Sequence, residues 1–174
     1  AMGALFEGDR EQLNIGHECV DRHDRDGIAV RIAHADGRDE TITFGALADA
    51  SNRFANHLLR CGLEKGDRVA IMLEPSLPFY VALFGTMKAG CIAVPLFTLF
   101  GPDGLRLRIG DCTPKLLVTN PDLVHLSADN ADTETVVADD AFLGALEAES
   151  AEFTPATGSA DIAMYQYTSG TTRE

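Results

Sequence analysis

Apolar positions along the chain fall into short runs whose period changes repeatedly. Residues 28–34 and 40–44 are brief β-like runs, separated by Asp36-Gly37, a dipeptide that readily supplies the positive φ of a hairpin turn. Leu47, Phe54 and Leu58 then recur at helical spacing with Ala50 and Ala55 beside them, and Gly62 closes the pattern just after Cys61. A strand is predicted over 67–73, where Val69 to Leu73 is apolar without interruption, as in a strand covered on both faces.

The longest apolar run, VALFGTMKAGCIAVPLFTLF at 81–100, has about the length of a bilayer-spanning helix. Lys88 near its middle, Gly90 just after and Pro95 in the second half argue against a span. The run reads instead as two elements. A helix over 78–89 ends with Lys88 near its negative pole and Gly90 as C-terminal cap, and a buried strand over 91–96 follows. Beyond it the pattern predicts a helix over 102–111, a strand over 115–119, a polar loop at 129–132 and a strand over 135–138. Then come a helix over 141–149, with Phe142, Leu146 and Leu143 facing inward, and a last strand over 161–168. Strands alternating with helices on short linkers imply βαβ units: an α/β fold with a mostly parallel, helix-covered sheet, in one domain without internal repeats.

Composition excludes several classes. With 45% hydrophobic and 24% charged residues, the 174-residue chain is ordinary globular protein. Its 27 acidic against 14 basic residues give a formal charge of −13, a field that repels polyanions, so nucleic acid is not an expected partner. Cys19, Cys61, Cys91 and Cys112 are widely spaced, which fits reduced, mostly buried thiols in a cytoplasmic protein rather than a disulfide framework or zinc site. The five histidines, His17 and His23 among them, show no metal-ligand spacing, and no metal site is expected. The first residues carry Glu7, Asp9, Arg10 and Glu11 and no apolar signal segment, and Ala1-Met2-Gly3 reads as a cloning remnant.

The candidate chemistry lies at the end of the last predicted strand, in Thr168, Ser169, Gly170, Thr171 and Thr172. A strand that runs into a loop of small hydroxyl residues places backbone N–H groups and hydroxyls at a sheet edge, where α/β proteins bind ligands. Gly170 lets the backbone curl close to a phosphate, and Ser169, Thr171 and Thr172 add donors around its oxygens. Each hydrogen bond to a charged acceptor contributes about 1.5–3 kcal/mol, so a few local donors can outweigh an acidic protein's global field. The Walker frame G-x-x-x-x-G-K-[ST] is missing.

These residues resemble the adenylate-forming superfamily of acyl-CoA synthetases, peptide-synthetase adenylation domains and firefly-type luciferases. Tyr167-Thr168-Ser169-Gly170-Thr171-Thr172 is similar to the first half of its phosphate loop. TITFGALADASNRFANHLLRCGLEKGDRVAIML at 41–73 and FYVALFGTMKAGCIAVPL at 79–96 are similar to two further family segments in the same order, and NIGHECVDRH at 14–23 is similar to the acetyl- and medium-chain acyl-CoA synthetase branch.

The resemblance implies a two-step ligase. ATP and a carboxylic acid, with Mg²⁺, give an acyl-adenylate and pyrophosphate, and coenzyme A then displaces AMP. It assigns Thr168, Ser169, Gly170, Thr171 and Thr172 to the ATP phosphates, and Arg108 and Lys115 to the nucleotide end of coenzyme A. Solvated surface charge is the competing reading for that pair. Arg173 departs from the glycine usual in the family. Residues 1–174 would form one incomplete N-terminal portion of the large domain, without catalytic residues of its own, inactive alone, binding no cofactor tightly and open to self-association. A carrier-protein-loading or luciferase-like enzyme, or a non-catalytic interaction module, are the alternatives.

Overall fold

The computed structural model describes residues 5–34, 36–127 and 133–168. The polar loop expected at 129–132 and the hydroxyl loop at 169–172 lie outside the described residues. A short π-helical turn, His17–Asp21, leads into an antiparallel hairpin of β1 (Ile28–Ala33) and β2 (Asp39–Thr43), with Gly37 at φ 87° in its turn. After α1 (Phe44–Arg60) come β3 (Arg68–Met72), α2 (Leu77–Lys88), β4 (Ile92–Pro95), α3 (Pro102–Cys112) and β5 (Leu116–Thr119). A 3₁₀ turn (Val124–Ser127), β6 (Glu134–Val137) and α4 (Asp140–Leu146) complete the series. The second sheet is parallel throughout, in the order β4-β3-β5-β6.

The unbroken apolar run of β3 follows from its place at the centre of that sheet. Val69 and Ile71 face one layer with Leu47, Phe54, Leu58, Val81 and Leu146, while Ala70 and Met72 face the other with Leu105, Ile109 and Cys112. Helices α1, α2 and α4 therefore cover one face and α3 the other. At four-residue length, β4 and β5 have no exposed face to carry polar alternation.

Local chemistry sets the helix ends. Thr43, Ser76 and Asp139 cap α1, α2 and α4 by accepting from the amides of Ala46, Phe79 and Phe142. Gly90 takes φ 76° just past α2, as its position in the sequence predicts. Gly85 has a different reason: a Cβ there would come 2.7 Å from the Ser51 carbonyl oxygen and 2.8 Å from the Phe54 ring, so glycine is what lets α1 and α2 approach.

Three expectations need correction. Helix α4 ends at Leu146, short of residue 149. The stretch 161–168 is not a full strand; only Met164 bridges, to Ala93, through Ala93 N–H to Ala163 O at 3.0 Å and Tyr165 N–H to Ala93 O at 2.9 Å. The next ladder donor on that side would be residue 95, and Pro95 has no N–H, so pairing stops there. Cys91 and Cys112 are buried but Cys19 and Cys61 are exposed, and all four are free.

Lys88 ends α2 as expected, and it is also fully buried. Its ammonium donates to Asp21 Oδ1 at 2.5 Å, Ser51 Oγ at 2.8 Å and Asn52 Oδ1 at 2.8 Å, with the Ala48 carbonyl at 3.4 Å. Among the described residues no helix is long and apolar enough to cross a membrane.

Candidate nucleotide site at the carboxyl end of the sheet

Parallel strands deliver their following loops to one edge, and here the loops after β3 and β4 meet the stretch 162–168 beside them. Together they enclose a cleft of about 390 Å³ lined by Glu74, Phe79, Phe97, Phe100, Gln166 and Tyr167 among others. The Thr98 hydroxyl donates to Glu74 Oε1, which ties the two strand loops together.

Tyr167 and Thr168 reach this edge because Met164 pairs with β4 three and four residues earlier. Thr168 is exposed, and the Tyr167 ring is half-buried against α3. Its phenol donates to Asp111 Oδ2 at 2.5 Å, with the Arg108 carbonyl oxygen 3.3 Å away. Burial first, and then the Asp111 carboxylate that accepts its proton, push the phenol well above its ordinary pKa.

Arg108 lies on the same side. Its guanidinium carbon sits 3.6 Å from the Phe100 ring centroid and 5.5 Å from that of Tyr167, and Nη1 donates to the Gly104 carbonyl at 2.8 Å. Nε is buried without a hydrogen-bond partner among the described residues. An arginine held by ring faces, with donor capacity to spare, is suited to taking an anion.

Lys115 lies elsewhere. It precedes β5, and its amide bonds to the Arg68 carbonyl at the amino end of the sheet. Its ammonium pairs with Asp67 Oδ2 at 2.7 Å. That hydrogen bond raises the lysine's pKa; for Asp67, burial acts upward but the bonds from Lys115 and the Glu64 amide prevail and hold the carboxyl low. The structure thus joins Thr168 and Arg108 through Tyr167 and leaves Lys115 at the opposite end. Among the described residues no three His, Cys, Asp or Glu side chains are grouped to hold a metal ion.

A family profile described as AMP-binding enzyme matches residues 18–172. This chain belongs to the AMP-binding enzyme family. It is 38% identical over 118 residues to acetyl-coenzyme A synthetase of Bacillus subtilis (strain 168), covering 66% of this chain and 21% of that protein. The Drosophila melanogaster acetyl-coenzyme A synthetase is 34% identical over 112 residues, 61% of this chain and 17% of that protein. Among solved structures, Brucella canis acyl-CoA synthetase superposes with a TM-score of 0.87 at 31% identity over 97% of this chain and 34% of its own. ATP-bound MatB from Rhodopseudomonas palustris gives 0.77 at 28% identity, over 91% and 33%. The chain spans about a fifth of the length of these curated relatives and a third of these structures. The α/β fold with its parallel, helix-flanked sheet is that of the adenylate-forming enzymes.

Within this AMP-binding fold, two supports of the site escape a reading by pattern. Asp111, which holds Tyr167, stands 56 residues before it. Asn14 is buried and 143 residues from Thr157; its Nδ2 donates to the Met87 carbonyl at 2.8 Å and to Thr157 Oγ1 at 3.0 Å. Leu13 N–H to Thr157 O at 2.9 Å and Ser159 N–H to Arg10 O at 3.0 Å continue that strap. The N-terminal segment so fixes the stretch that leads to the site. The Glu18 carboxylate braces the segment in turn, accepting from the Glu7 and Gly8 amides and from Arg22 Nη1. Burial pushes its pKa up, but these bonds outweigh it and hold the group low.

Proposed function

We propose that this chain is the ATP-phosphate end of the large domain of an AMP-forming acyl-CoA synthetase, with the activity belonging to a full-length enzyme. The supporting observation is the delivery of Tyr167 and Thr168 to the carboxyl edge of a parallel sheet, beside an open cleft and an arginine whose Nε has no partner among the described residues. Thr168, Ser169, Gly170, Thr171 and Thr172 hold the β- and γ-phosphates of ATP, which arrives with Mg²⁺ as its complex. The carboxylate oxygen of the acid attacks the α-phosphorus, the bond to the bridging oxygen breaks, and pyrophosphate leaves with its charge taken up by the loop. Coenzyme A sulfur then attacks the acyl carbon, releasing AMP and a proton. Arg108 takes a phosphate at the nucleotide end of coenzyme A.

Names of the relatives support a coenzyme A thioester as product rather than carrier-protein loading or light emission. Four free thiols fit a reducing cytoplasm. The exposed Ile162, Met164 and Tyr165 along the β4 edge are where a further strand, or a second copy, packs.

The test is a titration of the chain with MgATP, followed by phosphorus NMR, beside an assay of pyrophosphate and AMP release with short carboxylic acids and coenzyme A. Saturable binding that Ser169→Ala and Thr171→Val weaken, without turnover, is the expected result. Turnover by the 174 residues alone would overturn the assignment of activity to a longer enzyme, and ATP binding indifferent to both substitutions would remove the phosphate role.

A further inference from the structure

Tyr167 directly precedes Thr168, and its side chain belongs to α3 rather than to the strand edge it follows. The phenol donates to Asp111 Oδ2 at 2.5 Å, lies 3.3 Å from the Arg108 carbonyl oxygen, and its ring stands beside the Arg108 guanidinium at 5.5 Å. Backbone pairing cannot do this job, because the ladder to β4 ends with the Tyr165 amide: Pro95 offers no donor for the next rung. Where main-chain pairing fails, the phenol supplies the attachment two residues later.

We infer that Tyr167 is a positioning residue, which pins the start of the hydroxyl loop to α3 through Asp111 and so sets the point from which Thr168 continues beside the cleft. Its purpose rests on the phosphate reading of residues 168–172; the attachment itself does not. A single side chain then touches both Asp111 and Arg108 of α3, so whatever shifts α3 shifts the loop entrance with it.

The experiment uses the 174-residue chain with two variants, Tyr167→Phe, which keeps the ring and loses the hydroxyl, and Asp111→Ala at an exposed helical position. Native-state hydrogen exchange at the Tyr165 amide should accelerate about tenfold in both, the loss expected for one bond to a charged acceptor. Exchange within α1 should stay unchanged, which separates a local attachment from general destabilisation. Ultraviolet titration should show a late phenol step, which Tyr167→Phe removes and Asp111→Ala moves earlier. MgATP affinity should fall by about the same tenfold factor. Unchanged Tyr165 exchange and an unmoved late phenol in both variants would overturn the attachment. Faster exchange with unaltered ATP affinity would overturn its positioning role. A wild-type chain without saturable ATP binding would instead sink the phosphate reading, while exchange and phenol titration still decide whether Tyr167 anchors the stretch.

Discussion

Lys88 and Arg108 are two of the cations drawn into this fold, and they are treated in opposite ways. Lys88 has no exposed surface, yet every proton of its ammonium meets an acceptor from the π-helical turn or α1. Arg108 lies between aromatic faces, spends one Nη1 bond on its own helix, and keeps a buried Nε with no partner among the described residues. A fully satisfied buried charge is a structural joint, because any movement strands it; a partly satisfied one beside a cleft keeps capacity for a ligand. The contrast sorts architecture from site by hydrogen-bond accounting alone.

The contrast breaks most visibly at Lys88. Lys88→Met keeps the length of the side chain and removes the charge, leaving Asp21, Ser51 and Asn52 without their common donor; unfolding free energy should fall by about 3–5 kcal/mol in urea titrations. A loss under about 1 kcal/mol would show that the joint is incidental. Next in size is Gly85→Ala, whose methyl would meet the Ser51 backbone at 2.7 Å and force α1 and α2 apart, at a cost of about 1–3 kcal/mol by the same measurement.

How far the sequence reaches differs between these regions for a physical reason. Strand and helix periods, the Asp36-Gly37 turn and the Gly90 cap are local, and apart from the end of α4 and the stretch 161–168 the structure has them within a residue or two of their predicted places. Lys88 was legible as a cation near a helix end, but not as buried: its acceptors come from Asp21, Ser51 and Asn52, which lie 67, 37 and 36 residues away. The strand over 161–168 failed because its apolar residues run along a partner that ends in proline, a fact written in β4 rather than in the stretch itself. The site divides in the same way. Thr168 carried a signal of its own and Arg108 was reached through the family resemblance, whereas Asp111 and Asn14 act only through distant contacts, and Ser169 to Thr172 lie outside the described residues.

A pH titration sharpens the structural side at lower energy. Burial pushes the Cys91 thiol up to about 11 from 9.0, Asp67 nearby adding to it. Between those values the unfolded chain has lost the thiol proton while the folded one keeps it. Unfolding therefore becomes easier as pH rises through that window, by about 1.4 kcal/mol per pH unit at most. Stability contributed below pH 9.0 should be intact, and Cys91→Ala should flatten the slope above it. A slope that persists in the variant would assign the effect to another group.

The smallest effect on folding belongs to Arg108, and there the comparison is decided. Arg108→Leu keeps apolar contact with Phe100 and Tyr167, removes the Nη1 bond within its own helix, and relieves an Nε that has no partner among the described residues. Unfolding free energy should change by less than about 1 kcal/mol, a surface-like value for a half-buried charge. Binding should change more than folding does. Adenosine 3′,5′-bisphosphate, the nucleotide end of coenzyme A, should lose about tenfold or more in affinity, since a charge-assisted bond contributes about 1.5–3 kcal/mol, and the loss should shrink at high salt. If Arg108→Leu instead unfolds the chain as severely as Lys88→Met, both cations are joints, and Arg108 is not held in reserve for a ligand.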